Sequence, residues 1–159
     1  MRSIKKAYCR GVQTLFYAAM PFLPYRDPYI FGDIYGLVRF LSRSGISSVL
    51  LVTDSSLREM GATSELEGLL GDDGIKCAVY DGVCANPTVE NVGQARRIYI
   101  RNECDCIIAF GGGSSIDCAK AAGARIAYPE RPLSKLKGTL KVLRAIPTLV
   151  AIPTTAGTG

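Results

Sequence analysis

Four short apolar runs recur along this chain, and the first three are each followed by a stretch with helical spacing. The runs are SSVLLVTD (47–54), IKCAVYDGV (75–83), CDCIIAFGGG (104–113) and PTLVAIPTTAGTG (147–159). Continuous Val, Ile and Leu ending in polar or small residues is the pattern of strands buried on both faces. After the first run, Ser56 and Glu59 have capping-box spacing ahead of LREMGATSELEGLL, and GDDG (71–74) reads as a turn. Asn86-Pro87-Thr88 opens the second helix, VENVGQARRIYIRN, in which Val89, Val92, Ala95, Ile98 and Tyr99 share one face. The third helix, SSIDCAKAAGARIA (114–127), carries a stripe of Ile116, Ala119, Gly123 and Ile126. Strand alternating with helix predicts an α/β fold: a parallel, Rossmann-like sheet with helices on both faces. The stretch 128–146 is the least periodic and reads as a crossing loop with a short helix.

With 159 residues, 48% hydrophobic and 21% charged, the chain can bury a real core and reads as soluble and globular. No run approaches the length of a membrane span. Arg2, Lys5, Lys6 and Arg10 precede GVQTLFYAAMPFLP, which superficially resembles a secretory signal. Gln13 interrupts that run, however, and Pro21 and Pro24 follow without a small-residue cleavage site. An N-terminal helical extension over 1–29 is the better reading. Six cysteines occur with no C-x-x-C pair and no histidine anywhere, which argues against a zinc site and a disulfide framework. Reduced thiols in a cytoplasmic protein follow, with Cys104 and Cys106 expected on one face of a strand. Residues 1–26 and 131–159 each carry five basic and no acidic residues, against 9 basic and 14 acidic between them. The basic ends have no motif for reading nucleic acid, so they are expected to be solvated or to await a partner surface.

The third run closes on three glycines, Gly111, Gly112 and Gly113, just where a helix opens. In a parallel sheet, ligands bind beyond the carboxyl ends of the strands. Backbone N–H groups and the positive end of the helix dipole converge there and suit a phosphate, with Ser114 or Ser115 capping the helix or donating a hydroxyl. Two common phosphate fingerprints are excluded. G-x-G-x-x-G would need glycine where Ile116 stands, and the P-loop needs a lysine that is absent. Taken alone, GGGSS at such a junction is a tight turn as often as a cradle.

AFGGGSSIDCAKAAGARIA followed by AIPTTAGTG resembles the iron-containing (group III) alcohol dehydrogenase family, of the dehydroquinate synthase-like fold. The matching segments are Gly111 to Lys120 and Pro153 to Gly159, supported by VTD at 52–54 and Asn86-Pro87-Thr88. The resemblance covers residues 30–159 and implies a dinucleotide-binding domain there. It implies that Gly111, Gly112, Gly113, Ser114 and Ser115 hold the pyrophosphate of NAD, and that Asp54 accepts from the adenosine ribose, disfavouring NADP. Asp54 reads equally as a helix cap. Thr154 and Thr155 would line the adenine and ribose side, or else bond nearby backbone at a strand end. Asp117 either complements the helix dipole and pairs with Lys120, or faces the nicotinamide or the substrate.

In that family a second, mostly helical domain supplies iron or zinc through one aspartate and three histidines. The sequence stops where the family continues with Ser-Glu and has no histidine, so no metal ligand and no catalytic residue is expected within it. The expectation is the NAD-binding domain of a metal-dependent alcohol dehydrogenase, inactive without its C-terminal domain. A small alcohol or aldehyde is the implied substrate, and a homo-oligomer the implied assembly. A glycerol dehydrogenase-type relative and a non-catalytic nucleotide-binding module are the alternatives.

Overall fold

The computed structural model describes residues 28–138 and 140–155, together with Arg10, Gly11, Thr14 and Tyr17. By internal contacts the chain divides into two compact units, Met1–Gly32 and Asp33–Gly159. In the first unit the four described residues before position 28 are helical, with the Thr14 hydroxyl donating to the Arg10 carbonyl at 2.9 Å. Most of the N-terminal extension, Cys9 and the final residues 156–159 lie outside the described residues. Among the described residues, no helix is long and apolar enough to cross a membrane.

The second unit runs α1 (Ile34–Arg43), β1 (Ser48–Val52), α2 (Ser55–Glu59), α3 (Ser64–Asp72), β2 (Lys76–Tyr80), α4 (Val89–Arg101), β3 (Cys106–Gly111), α5 (Gly113–Ala127), a 3₁₀ turn (Leu133–Lys135) and β4 (Thr148–Pro153). The strands form one sheet in the order β2-β1-β3-β4, every pair parallel. Chain order therefore reverses between β1 and β3, which makes a topological switch point at their carboxyl ends. The predicted α/β architecture is what the chain adopts.

The core explains why the strands read as unbroken apolar runs. Val49, Leu50, Leu51, Val52, Ile107 and Ile108 are all fully buried. Leu50, Val52, Ile107 and Ala109 pack with Val92 and Ala95 of α4 and with Cys118, Ala119 and Ala122 of α5. Strand alternation turns Val49, Leu51, Cys106 and Ile108 to the opposite face. There α1 buries Leu37, Val38 and Leu41, and α3, which packs on α1 and β2, buries Leu66 and Leu70. Each such side chain contributes about 1.5–3 kcal/mol.

Three local expectations are corrected. The helix after β1 is capped by Asp54, whose Oδ1 accepts from Leu57 N at 3.0 Å, so the Ser56–Glu59 spacing is not a capping box. That helical stretch is also two helices, because Gly61 adopts φ +71° between them. Cys104 lies before β3 and packs with Ile107 and Ala109, while Cys106 alternates to the other face. Both are buried small hydrophobes, as expected, but they do not share a face.

Candidate functional site

The glycine run sits at the switch point, and its three members do different things. Gly111 ends β3 with φ +145°, a conformation that side chains rarely adopt. A Cβ there would lie 2.6 Å from Ser115 Oγ and 3.3 Å from Leu57 Cδ1. Protein atoms therefore account for Gly111. Gly112 is the N-cap of α5, and a Cβ on it would approach only Thr155, at 3.6 Å. Gly113 is the first helical residue, and a Cβ on it would meet nothing within 4 Å. Among the described residues, the space over Gly113 is open and that over Gly112 is bounded by Thr155 alone.

Starting α5 inside the glycine run overturns the expectation that Ser114 or Ser115 caps it: the cap is Gly112, with no side-chain hydrogen bond. Ser114 and Ser115 belong to the first turn, where backbone N–H groups have no carbonyl partner within the helix. Ser115 is 1% exposed and wedged behind Gly111, so its hydroxyl braces the turn from below while its backbone faces the helix end. The arrangement combines the N–H groups and dipole of a helix N-terminus with no overlying side chain among the described residues, a combination that suits an anion.

The neighbouring strands bring the remaining residues to the same level. Val52 pairs with Ala109, which puts Asp54 and Gly111 two residues beyond a paired position on adjacent strands. Asp54 is fixed by its cap bond to Leu57 N and by a bridge to Gly82, which ties it to the loop after β2. One carboxylate oxygen serves the cap, and the other is available to a ligand. On the other side Gly111 pairs with Pro153, and Thr154 N donates to the Gly111 carbonyl at 3.1 Å. Asp54, Gly111–Ser115, Thr154 and Thr155 thus gather at the carboxyl ends of β1, β3 and β4. Leu57 was not singled out from the sequence; its only signal was an apolar residue three positions past the capping aspartate.

The loop between β2 and α4 is held rigidly. Asn91 Nδ2 donates to Tyr80 Oη at 2.9 Å and to the Gly82 carbonyl at 3.0 Å, and Thr88 with Asn91 completes a capping box on α4. Asn86 in this loop adopts φ +59°. Asp117 lies elsewhere. It is exposed on α5 and lines a separate groove of about 780 Å³ with Asn86, Val92, Lys120, Leu133 and Leu136. The expected ion pair between Asp117 and Lys120 is not formed: the salt bridges among the described residues are Arg58–Glu67 and Arg97–Glu90.

For a metal the residues do not fit. The sequence contains no histidine, and no group of three His, Cys, Asp or Glu among the described residues could hold an ion. Burial pushes the Cys106 thiol up to about 12 and the Cys118 thiol to about 11, away from the thiolate a metal needs.

This is a doubly wound α/β domain with a glycine-rich turn at its switch point. Residues 28–159 match the sequence profile of iron-containing alcohol dehydrogenases, and the chain belongs to that family. It is similar to alcohol dehydrogenase 4 of Schizosaccharomyces pombe, 32% identical over 162 residues covering 98% of this chain and 38% of that protein. The methanol:N,N-dimethyl-4-nitrosoaniline oxidoreductase of Rhodococcus erythropolis is 40% identical over 116 residues, 72% of this chain and 27% of that protein. Among solved structures, a 1,3-propanediol oxidoreductase superposes with TM-score 0.74 at 36% identity, covering 79% of this chain and 32% of that one. The sulfoacetaldehyde reductase of Bifidobacterium kashiwanohense, solved in complex with NAD+, superposes with TM-score 0.72 at 26% identity, covering 86% and 37%. The chain spans between 27% and 38% of the length of these relatives.

Proposed function

We propose that the chain is the NAD-binding part of an alcohol or aldehyde oxidoreductase, with the pyrophosphate over Gly112 and Gly113. The observation that carries this reading is the space at the start of α5, where among the described residues nothing lies within 4 Å of a Cβ on Gly113 and only Thr155 comes near one on Gly112. The NAD+ complex of the reductase similar in fold supports the choice of nucleotide. When bound, NAD supplies the hydride acceptor. The chain's own residues orient it. Backbone N–H groups of Gly113, Ser114 and Ser115 hold the phosphates. The Asp54 oxygen left over from the cap accepts from the ribose hydroxyls, and Thr154 and Thr155 bound the cleft on the β4 side. Asp117, a helical turn further along α5, lines the separate groove and takes no part in holding the phosphates. The metal proposed for the whole enzyme is iron, as in the family's description, held by residues other than these; the relatives' names give zinc no support.

Titration calorimetry on the chain tests the reading. NAD or ADP-ribose should bind, and Gly112→Val, which fills the phosphate space, should abolish binding. NADP should bind about tenfold more weakly than NAD, because a 2′-phosphate beside the Asp54 side chain costs about 1.4 kcal/mol. Equal NAD affinity in wild type and Gly112→Val would refute the placement, and equal affinity for NAD and NADP would leave Asp54 a cap alone.

A further inference from the structure

Beyond the nucleotide site, the least periodic part of the sequence contains a loop bonded at both ends. Tyr128 ends α5 and is 5% exposed, clustered with Ala124 and Leu136. Its hydroxyl oxygen accepts two backbone N–H groups from far along the chain, Leu143 N at 2.9 Å and Arg144 N at 2.8 Å. Its ring carries two guanidinium groups, those of Arg131 and Arg144, at 4.9 and 4.8 Å from the centroid. Arg144 Nη1 also donates to the Ala127 carbonyl at 3.2 Å. At the near end, Arg125 Nη1 donates to the carbonyls of Tyr128 and Pro129, at 3.0 and 3.1 Å, and to that of Arg131. One tyrosine therefore gathers both ends of the segment 129–146.

We infer that Tyr128 is a latch that closes this basic segment into a strap, and that the closed strap forms one wall of the groove holding Asp117. Leu133, Ser134, Leu136 and Lys137 of the strap face Val89 and Val92 of α4 and Ala121 of α5 across that groove. The strap carries Arg131, Lys135, Lys137, Lys141 and Arg144 against a single acid, Glu130, so its charges repel one another and favour opening. Two guanidiniums stacked on an aromatic face and two N–H groups on one oxygen oppose that repulsion. Leu143 is 76% exposed, so the hydrogen bond from its backbone N–H to Tyr128, rather than apolar burial, holds this end. The latch is all-or-none in character: removing the hydroxyl frees two amides at once and leaves α5 and the sheet untouched.

The experiment is limited trypsin digestion of the chain with each cut located by mass spectrometry, comparing wild type with Tyr128→Phe. Phenylalanine keeps the ring for the two arginines and deletes only the acceptor. Cleavage after Lys135, Lys137 and Lys141 should accelerate by about tenfold, the effect expected for losing two ordinary hydrogen bonds. Cleavage after Arg97 and Arg101 on α4 should be unchanged. Equal strap cleavage in the two proteins would overturn the latch. Hydrogen exchange on the wild-type chain decides the matter should Tyr128→Phe not fold. The Leu143 and Arg144 amides should be protected about tenfold or more and by similar factors, and exchange at free-chain rates would overturn the proposal.

Discussion

The three glycines of residues 111–113 look alike in the sequence, yet the structure separates them by cause. Gly111 is required by its own backbone and by Ser115 and Leu57, whereas Gly113 has no neighbour that a methyl group would strike. Gly111→Ala should therefore destabilise the fold by about 2 kcal/mol, combining a strained conformation with a clash. Gly113→Ala should leave stability unchanged or raise it by about 0.5 kcal/mol, since alanine suits a helix better than glycine. The same Gly113→Ala change should weaken NAD binding by about tenfold. Denaturant unfolding and calorimetry on both variants check the pair; a loss of stability from Gly113→Ala would mean that the turn, not a ligand, requires that glycine. The glycine run was legible from the sequence as a turn joining a strand to a helix. The division of labour within it was not, because it depends on a φ angle and on a leucine more than fifty positions away.

At the scale of elements, what was legible followed local chemistry, and what was missed depended on tertiary context. The start of α4 was readable, because Thr88 and Asn91 satisfy each other within one turn. The N-terminal helix α1 was overlooked although Asp33 caps it by accepting from Gly36 N at 2.6 Å; its aromatic and glycine residues obscure the buried Leu37, Val38 and Leu41. Equally hidden was Asp105, which ties the entrances of β1 and β3 together. Its carboxylate accepts from Ser47 N at 3.0 Å, Ser47 Oγ at 3.1 Å and Ser48 N at 3.1 Å. Partial burial alone would raise the pKa of this carboxyl, but the bonds from Ser47 and Ser48 outweigh it and the net shift is downward from 3.8. A carboxyl depressed on folding contributes stability above its unfolded pKa and loses it as pH falls through the folded value. Asp105→Asn should cost about 1–2 kcal/mol at pH 7, and the gap to wild type should narrow below the unfolded value of 3.8. Unfolding curves at neutral pH and at roughly pH 3 measure it; a gap of the same size at both would show that the charge on Asp105 is immaterial.

For the whole molecule, the family signature and the fold point the same way, and the cysteines report whether the sheet holds together as one unit. Cys104, Cys106 and Cys118 are buried in the layers on either side of β3, Cys77 is half-buried on β2, and Cys84 is exposed in the loop that follows. Burial raises the thiol of Cys106 to about 12 and those of Cys77 and Cys118 to about 11, and it raises Cys104 as well. Alkylation needs a thiolate that the reagent can reach, so the buried thiols react only when the structure opens. With a global stability of about 5 kcal/mol or more, opening suppresses their labelling by a factor of at least about 10³. Among these five cysteines, site-resolved mass spectrometry of a maleimide time course at pH 8 should find Cys84 modified first and Cys77 later. Cys104, Cys106 and Cys118 should follow together at a single rate set by unfolding, because the helical layers on both faces depend on the same central strands and open with them. Adding denaturant should bring all five rates together. Should Cys106 react as fast as Cys84 in the native chain, β3 would not lie at the centre of the sheet, and the glycine turn at its end would lose the rigid base on which the nucleotide site depends.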